Sequence, residues 1–322
     1  MEGDSHDKSR QRNGAVNDKV RSMTSFTPEA FGWCPDITDP RDFPFTQGIL
    51  TNRPATLAPT TPSPPTLARP LNSLPDFLAT SRLPAAQILD EETLQLHPRN
   101  DGPDHSTAAV MSLSLVDWLS RRWRGIPLNR SVKFLHQMTI RTQGGGGVMG
   151  VGLRATLKTL VRFGAPPEPM WPSNSPAADF PTDPMLFAFR GDYANLKFYR
   201  IDDRSSSAND TLIAIKQWLA SGAPCLFGFS VPDCLTTHSW IPHEHDRSGI
   251  LGGTAAIAMG YDDDFVENAP RPELRGALRI RCGWGDQWGE HGYGWLPYRY
   301  VLERWAIDFW GVHYPQRPSV SE

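Results

Sequence analysis

The chain of 322 residues is poor in cysteine: Cys34, Cys225, Cys234 and Cys282 are the four it has, far apart and with no C-x-x-C pair. That usage excludes a disulfide framework for a chain this long, and a reduced compartment is the simpler setting. Long apolar runs are missing too, since no stretch approaches the ~20 residues that a membrane helix needs. Residues 1–12 are charged and polar, without the apolar core of a signal peptide. Nor does charge of one sign dominate: 32 Lys and Arg stand against 35 Asp and Glu. Neither nucleic acid nor a membrane surface is therefore expected as a partner. We find no internal repeat. What remains is a soluble, cytoplasmic chain with a real core, 39% hydrophobic and holding 11 Trp.

Composition divides the chain before any motif does. Residues 1–23 are polar, mixed in charge and aperiodic, as expected of a disordered tail. Residues 24–50 follow as an N-terminal extended segment. Within it, Phe31-Gly32-Trp33-Cys34-Pro35-Asp36 and Asp39-Pro40-Arg41-Asp42-Phe43 combine aromatic anchors with Pro/Asp turns, the pattern of a segment clamped onto a larger body. Residues 51–75 are rich in proline and read as a linker. A globular domain is placed over 76–316, with a short tail at 317–322.

Helical periodicity comes first in that domain. Ala109, Leu113, Val116 and Leu119 recur at spacings of three and four, which predicts a helix over 106–123 ended by Gly125. Leu153, Leu157, Leu160 and Val161 predict a second over 152–163, stopped by Gly164 and Pro166-Pro167. Leu212, Ile215 and Leu219 predict a third over 210–220. Strand-like runs follow at 225–231, 254–261, 277–282 and 292–296, then a short helix over 298–305 and a last strand over 307–314. Helices first and strands later make an α+β chain with segregated layers, not a βαβ repeat.

Several clusters invite chemistry. The glycine run at 144–147 suggests a phosphate loop but lacks the Lys-Ser/Thr that completes one, and a closely packed loop is the plainer reading. His238, His243 and His245 with Glu244 and Asp246 carry zinc-ligand chemistry but no third ligand at a known distance, so a polar surface loop is the alternative. Asp262 to Asp264 lack the Gly and distal Glu of a calcium loop and read as a turn. No metal or cofactor is expected.

The densest motif lies late in the chain: Cys282-Gly283-Trp284-Gly285-Asp286-Gln287-Trp288-Gly289-Glu290-His291-Gly292-Tyr293. It resembles the segment of papain-like C1 cysteine peptidases that carries the catalytic asparagine, Asn-Ser-Trp-Gly, three residues, Trp-Gly, two residues, Gly-Tyr. Cys282 stands in the Asn position. Upstream, Gly252-Gly253-Thr254-Ala255-Ala256 and Met259-Gly260-Tyr261 resemble the catalytic-His segment, with Thr254 in the His position. Asp101-Gly102-Pro103-Asp104-His105-Ser106-Thr107 resembles the nucleophile segment, with Asp101 for the oxyanion Gln and Thr107 for the Cys. Residues 31–43 resemble the leader of bacterial family members.

The resemblance implies a helical lobe at about 83–181, a β-rich lobe at about 223–314 and a groove between them. It also implies a degenerate site. Asp101, Thr107, Gly146, Gly147, Thr254, Cys282 and Trp284 are the expected binding positions, and none is assigned a catalytic role. Papain-type chemistry needs a thiolate, an imidazole and an orienting amide. A threonine hydroxyl has too high a pKa, a second threonine takes no proton near pH 7, and a carboxylate repels an oxyanion. The chain is thus expected to be a non-catalytic pseudopeptidase that holds a peptide or protein partner in the groove. One alternative is a hydrolase or acyl-transfer enzyme rebuilt around Cys282. Another is a structural subunit whose groove is filled by its own N-terminal segment. A pairing of His105 with Ser106 or Thr107 is disfavoured, because neighbours along a helix point apart.

Overall fold

A computed structural model describes residues 32–36, 39, 42, 83–89, 106–144, 150–174, 181, 183–203, 206–243, 249–266 and 275–314. Among the described residues, seven strands form one sheet: β1 (Ala86–Ile88), β2 (Lys197–Arg200), β3 (Cys225–Pro232), β4 (Ile250–Asp262), β5 (Ala277–Cys282), β6 (Tyr293–Pro297) and β7 (Ala306–His313). Their order is β2-β7-β3-β4-β5-β6, with β1 beside the far end of β4, and each pairing is antiparallel. The helices are α1 (Thr107–Arg124), α2 (Val132–Thr142), α3 (Leu153–Phe163), α4 (Asp183–Ala188), α5 (Arg190–Tyr193), α6 (Ala208–Ala220) and α7 (Arg299–Leu302).

Alternation along the strands builds two cores. Leu226 of β3, Ala255, Ile257 and Met259 of β4 and Trp310 and Val312 of β7 pack with α1, Leu135 of α2 and α3. Their neighbours Cys225, Phe227, Phe229, Ala256, Ala258 and Phe309, with Leu278, Ile280 and Cys282 of β5, face α6 and α7. A period of two gives the sheet two apolar faces, so each must be covered by helices.

The three long helices fall where periodicity places them, and their ends have local causes. Gly125 closes α1 with φ 66 and bonds back to Ser120 and Arg121. Ser207 and Asp210 form a capping box that starts α6 two residues before the expected position. α1 departs from a striped helix: residues 107–120 are all buried, because the helix runs through the core between the sheet and the other helices.

Some elements escape the sequence reading. α2, with its Ser131 cap on the Phe134 amide, and the four-residue edge strand β2 are not among the expected elements. Ala86–Ile88, grouped by sequence with the helical half, joins the sheet through β4, which corrects the start of that half. β4 is longer than the run at 254–261, because Ile250 to Gly253 pair with β3 although glycine is a poor strand former. Among the described residues, no helix is long and apolar enough to cross a membrane, and the four cysteines are free thiols.

Candidate functional site: a degenerate corner and a seated leader

Thr107 is the first residue of α1 and is fully buried. Its Oγ1 accepts a hydrogen bond from the Ala255 amide at 3.3 Å, so the start of α1 abuts β4 beside Thr254. Thr254 is opposite Phe229 in the β3–β4 register, and Ala256 is opposite Cys282 in the β4–β5 register. Strand alternation therefore puts Thr254 on the face that carries Ala256 and Cys282. Both side chains are buried, and the Thr254 hydroxyl finds no partner among the described residues. Trp284 packs edge-on against Trp288, with centroids 4.7 Å apart, and against Phe229 at 6.1 Å. Asp101, Gly146 and Gly147 lie outside the described residues.

Thr254 thus shares a sheet face with Cys282, whereas Thr107 meets β4 through the Ala255 backbone. No charged group is among Thr107, Thr254, Cys282 and Trp284. Cys282 is buried in the core that also holds Ala256, Ile280 and Trp284. The glycines of the same motif explain why it has its spacing: Gly285, Gly289 and Gly292 take φ of 79, 57 and 88. Such angles favour glycine, although His291 in the same turn also takes φ 57, so these positions shape the turns between β5 and β6 whatever occupies the Cys282 position.

Two histidines of the candidate loop are described. His243 Nε2 is 3.0 Å from Glu303 Oε2, and its ring stands edge-on to Tyr300. His238 donates its backbone amide to Thr236 Oγ1. Residues 244–246 lie outside the described residues. No group of three His, Cys, Asp or Glu suited to a metal occurs among the described residues.

On the Ala255 face of the sheet is an arrangement that motif reading did not locate. Trp33 is buried, and its segment pairs in parallel with Val151 just before α3. The Cys34 amide donates to the Val151 carbonyl at 3.4 Å, and the Val151 amide donates to the Gly32 carbonyl at 3.3 Å. The indole lies on β3 and β4 at Gly228 and Gly253. A Cβ at Gly228 would overlap the indole, and one at Gly253 would stand 2.7 Å from Cε3. Gly253 immediately precedes Thr254, so by strand alternation the ring lies on the sheet face that carries Ala255, opposite the face of Thr254 and Cys282.

Three residues on, Asp36 joins both halves. Its amide donates to Asp308 Oδ2 of β7 at 2.6 Å, and its Oδ2 accepts from the Arg154 amide at the start of α3 at 2.7 Å. The Arg154 guanidinium is 3.3 Å from Asp39 and 3.2 Å from Asp42. Arg200 at the end of β2 bonds Asp308 at 2.7 Å and Asp202 at 3.1 Å, with Asp42 at 3.8 Å. Asp202 in turn accepts from the Asp308 and Phe309 amides. Five carboxyls thus share two guanidiniums. Burial, and then the Asp308 charge, push Asp36 up to about 6. Burial also pushes Asp308 up to about 6, although the Asp36 amide and Arg200 pull it down.

The sequence does signal a clamped leader at 31–43, but not its seat. The available clue is glycine inside strands at 228 and 253, where a missing side chain marks close approach of another group.

No protein-family model matches the chain. It is 26% identical over 186 residues to an uncharacterized peptidase C1-like protein of Acanthamoeba polyphaga mimivirus, covering 53% of this chain and 54% of that protein. The chain thus spans about half the length of that curated relative. Among solved structures it resembles xylellain, a cysteine protease from Xylella fastidiosa. The TM-score is 0.64 and the identity 25%, over 89% of this chain and 97% of xylellain. Procathepsin B of Trypanosoma congolense shares the fold at TM-score 0.53 and 18% identity, over 77% of this chain and 82% of that one. The sequence match and the fold agree: the chain has the papain-like cysteine protease fold and resembles peptidase C1-like proteins.

Proposed function

We propose that this chain is a non-catalytic member of the papain-like C1 cysteine peptidase family, a binding protein whose cleft between helices and sheet holds an extended peptide or protein segment. The single observation that carries this reading is the pair of buried threonines, Thr107 at the start of α1 and Thr254 on β4, in the expected nucleophile and base positions. Neither side chain takes up a proton near neutral pH, so no thiolate–imidazolium pair can form there. Cys282 is the one thiol of the corner, and it is fully buried, so no substrate reaches it without rearrangement. That weighs against a hydrolase or acyl-transfer enzyme built on it.

A second reading has its own support. The leader seated through Trp33 and Asp36 favours a structural protein whose cleft is filled from within. The two readings separate in one experiment. The full chain is treated with thiol-reactive peptidyl probes and, separately, with a mixed peptide library. Saturable peptide binding without turnover and without labelling of Cys282 is expected. Turnover with labelling of Cys282 overturns the non-catalytic reading, and absence of both binding and turnover favours the internally filled cleft.

A further inference from the structure

The seat of the leader is crowded with acids. Around Asp36 stand Arg154 of α3, Arg200 of β2, Asp202 just after β2 and Asp308 of β7, with Cys34, Asp39 and Asp42 on the leader itself. The five carboxyl side chains are each at most 15% exposed. Among the described residues, only the Arg154 and Arg200 guanidiniums answer them. Full ionisation would leave an excess of negative charge in a buried place, where repulsion is weakly screened. The backbone adds a constraint at Asp308. Asp308 and Phe309 stand opposite the single Phe227, a β-bulge, and Asp308 takes φ 59. Its amide donates to Asp202 Oδ2 at 2.7 Å. Its carboxyl takes Arg200 on one oxygen at 2.7 Å and the Asp36 amide on the other at 2.6 Å. Asp308 is thus fixed in the sheet, whereas Asp36 sits on the leader and can leave with it.

We propose that residues 32–36 form a proton-linked strap: they stay seated between α3 and β7 while either Asp36 or Asp308 holds a proton, and they unseat when both carboxyls ionise, uncovering the slot on Gly228 and Gly253. The strap is independent of what the cleft binds. Its sign follows from the two carboxyls. Burial, and then the Asp308 charge, raise Asp36 to about 6, against the pull of the Arg154 amide and of both guanidiniums. Burial raises Asp308 to about 6 as well. An unseated leader returns Asp36 to water and to its ordinary value of 3.8. The seated form therefore binds more protons than the unseated one. Seating is strongest below about pH 4 and weakens as pH rises through about 6. For Asp36 alone, the ratio of seated to unseated chains should fall about tenfold between pH 5 and pH 7.

The test is amide hydrogen exchange on the full chain from pH 5 to pH 8, read by mass spectrometry on the fragment that carries residues 32–36. Rates are expressed as protection factors, which remove the intrinsic pH dependence of exchange. Protection of the leader is expected to fall about tenfold or more from pH 5 to pH 7. The fall should persist unchanged in dilute urea, as local opening exposes little surface, whereas protection of β4 should drop with urea. Asp36→Asn and Asp308→Asn should each reduce the fall to about threefold or less. Asparagine tolerates the left-handed backbone at position 308, so the second variant keeps the bulge. If Asp36→Asn leaves the leader unprotected at every pH, Asp308→Asn carries the test. Leader protection that is constant across the range makes the seat a permanent brace and overturns the proposal. A fall as steep as the parent's in Asp308→Asn places the proton elsewhere and also overturns it. So does a leader whose exchange responds to urea as steeply as that of β4, because the leader would then open only when the whole chain unfolds.

Discussion

The corner formed by Thr107, Thr254 and Cys282 and the leader seat around Asp36 are built from opposite materials. The corner is buried, small and uncharged, and one of its hydroxyls finds no partner among the described residues. The seat gathers Asp36, Asp39, Asp42, Asp202 and Asp308 around Arg154 and Arg200. Burying charge is costly unless each charge is paired and hydrogen-bonded, whereas small neutral side chains cost little to bury. Physical specificity in this protein is therefore concentrated where the leader docks, and the corner of the expected catalytic residues is close to inert packing.

Breaking the seat should have the largest consequences. Asp202→Ala removes a carboxylate that bonds Arg200 and two backbone amides of β7. It should destabilise the fold by about 3–5 kcal/mol in urea unfolding, since it breaks a buried ion pair and leaves two buried β7 amides without their acceptor, although Arg200 keeps Asp308. A loss under about 1 kcal/mol would show that the network is solvated and that the contrast with the corner is overdrawn. Trp33→Ala empties the slot on Gly228 and Gly253 and should cost about 3 kcal/mol. Its local signature is faster proteolysis between the leader and residue 83, and unchanged cleavage there would mean that the indole does not hold the leader.

Acidity sharpens the comparison further. Asp36 and Asp308 rise from 3.8 to about 6 in the folded state. Between those values the folded chain binds more protons than the unfolded one, so stability is fully present below about pH 4 and is lost as pH rises through about 6. The effect should be on the order of 2 kcal/mol across that window. Asp36→Asn should flatten the pH profile measured by thermal melts. A profile as steep as the parent's would place the titration elsewhere. The corner should respond least. Thr254→Val replaces a buried, unpartnered hydroxyl with a methyl and should be neutral or stabilising by about 0–1 kcal/mol. A loss above about 2 kcal/mol in the same urea assay would reveal a hydrogen-bonding role for Thr254.

Much of the fold could be read in the residues because its signals are local. Apolar spacing marks α1, α3 and α6, alternation marks β5, and the Trp-Gly turns between β5 and β6 carry their own backbone requirement at Gly285, Gly289 and Gly292. The threonines and Cys282 stood out by their places in those motifs. α2, β1 and β2 were less legible. Their stability comes from what they pack against, and a four-residue edge strand such as Lys197–Arg200 has too few residues to show a period.

The sequence by itself determined the two apolar faces of the sheet, the long helices, and the residue types in the degenerate corner, because each is encoded within a few neighbouring residues. Only the tertiary structure decided where the leader goes. Trp33 meets Gly228 and Gly253 nearly two hundred residues or more along the chain, and Asp36 meets Asp308 across 272 positions. No local pattern encodes such a contact. It exists because the folded sheet brings two bare glycines to diagonal positions on adjacent strands and leaves a slot that the aromatic ring fills.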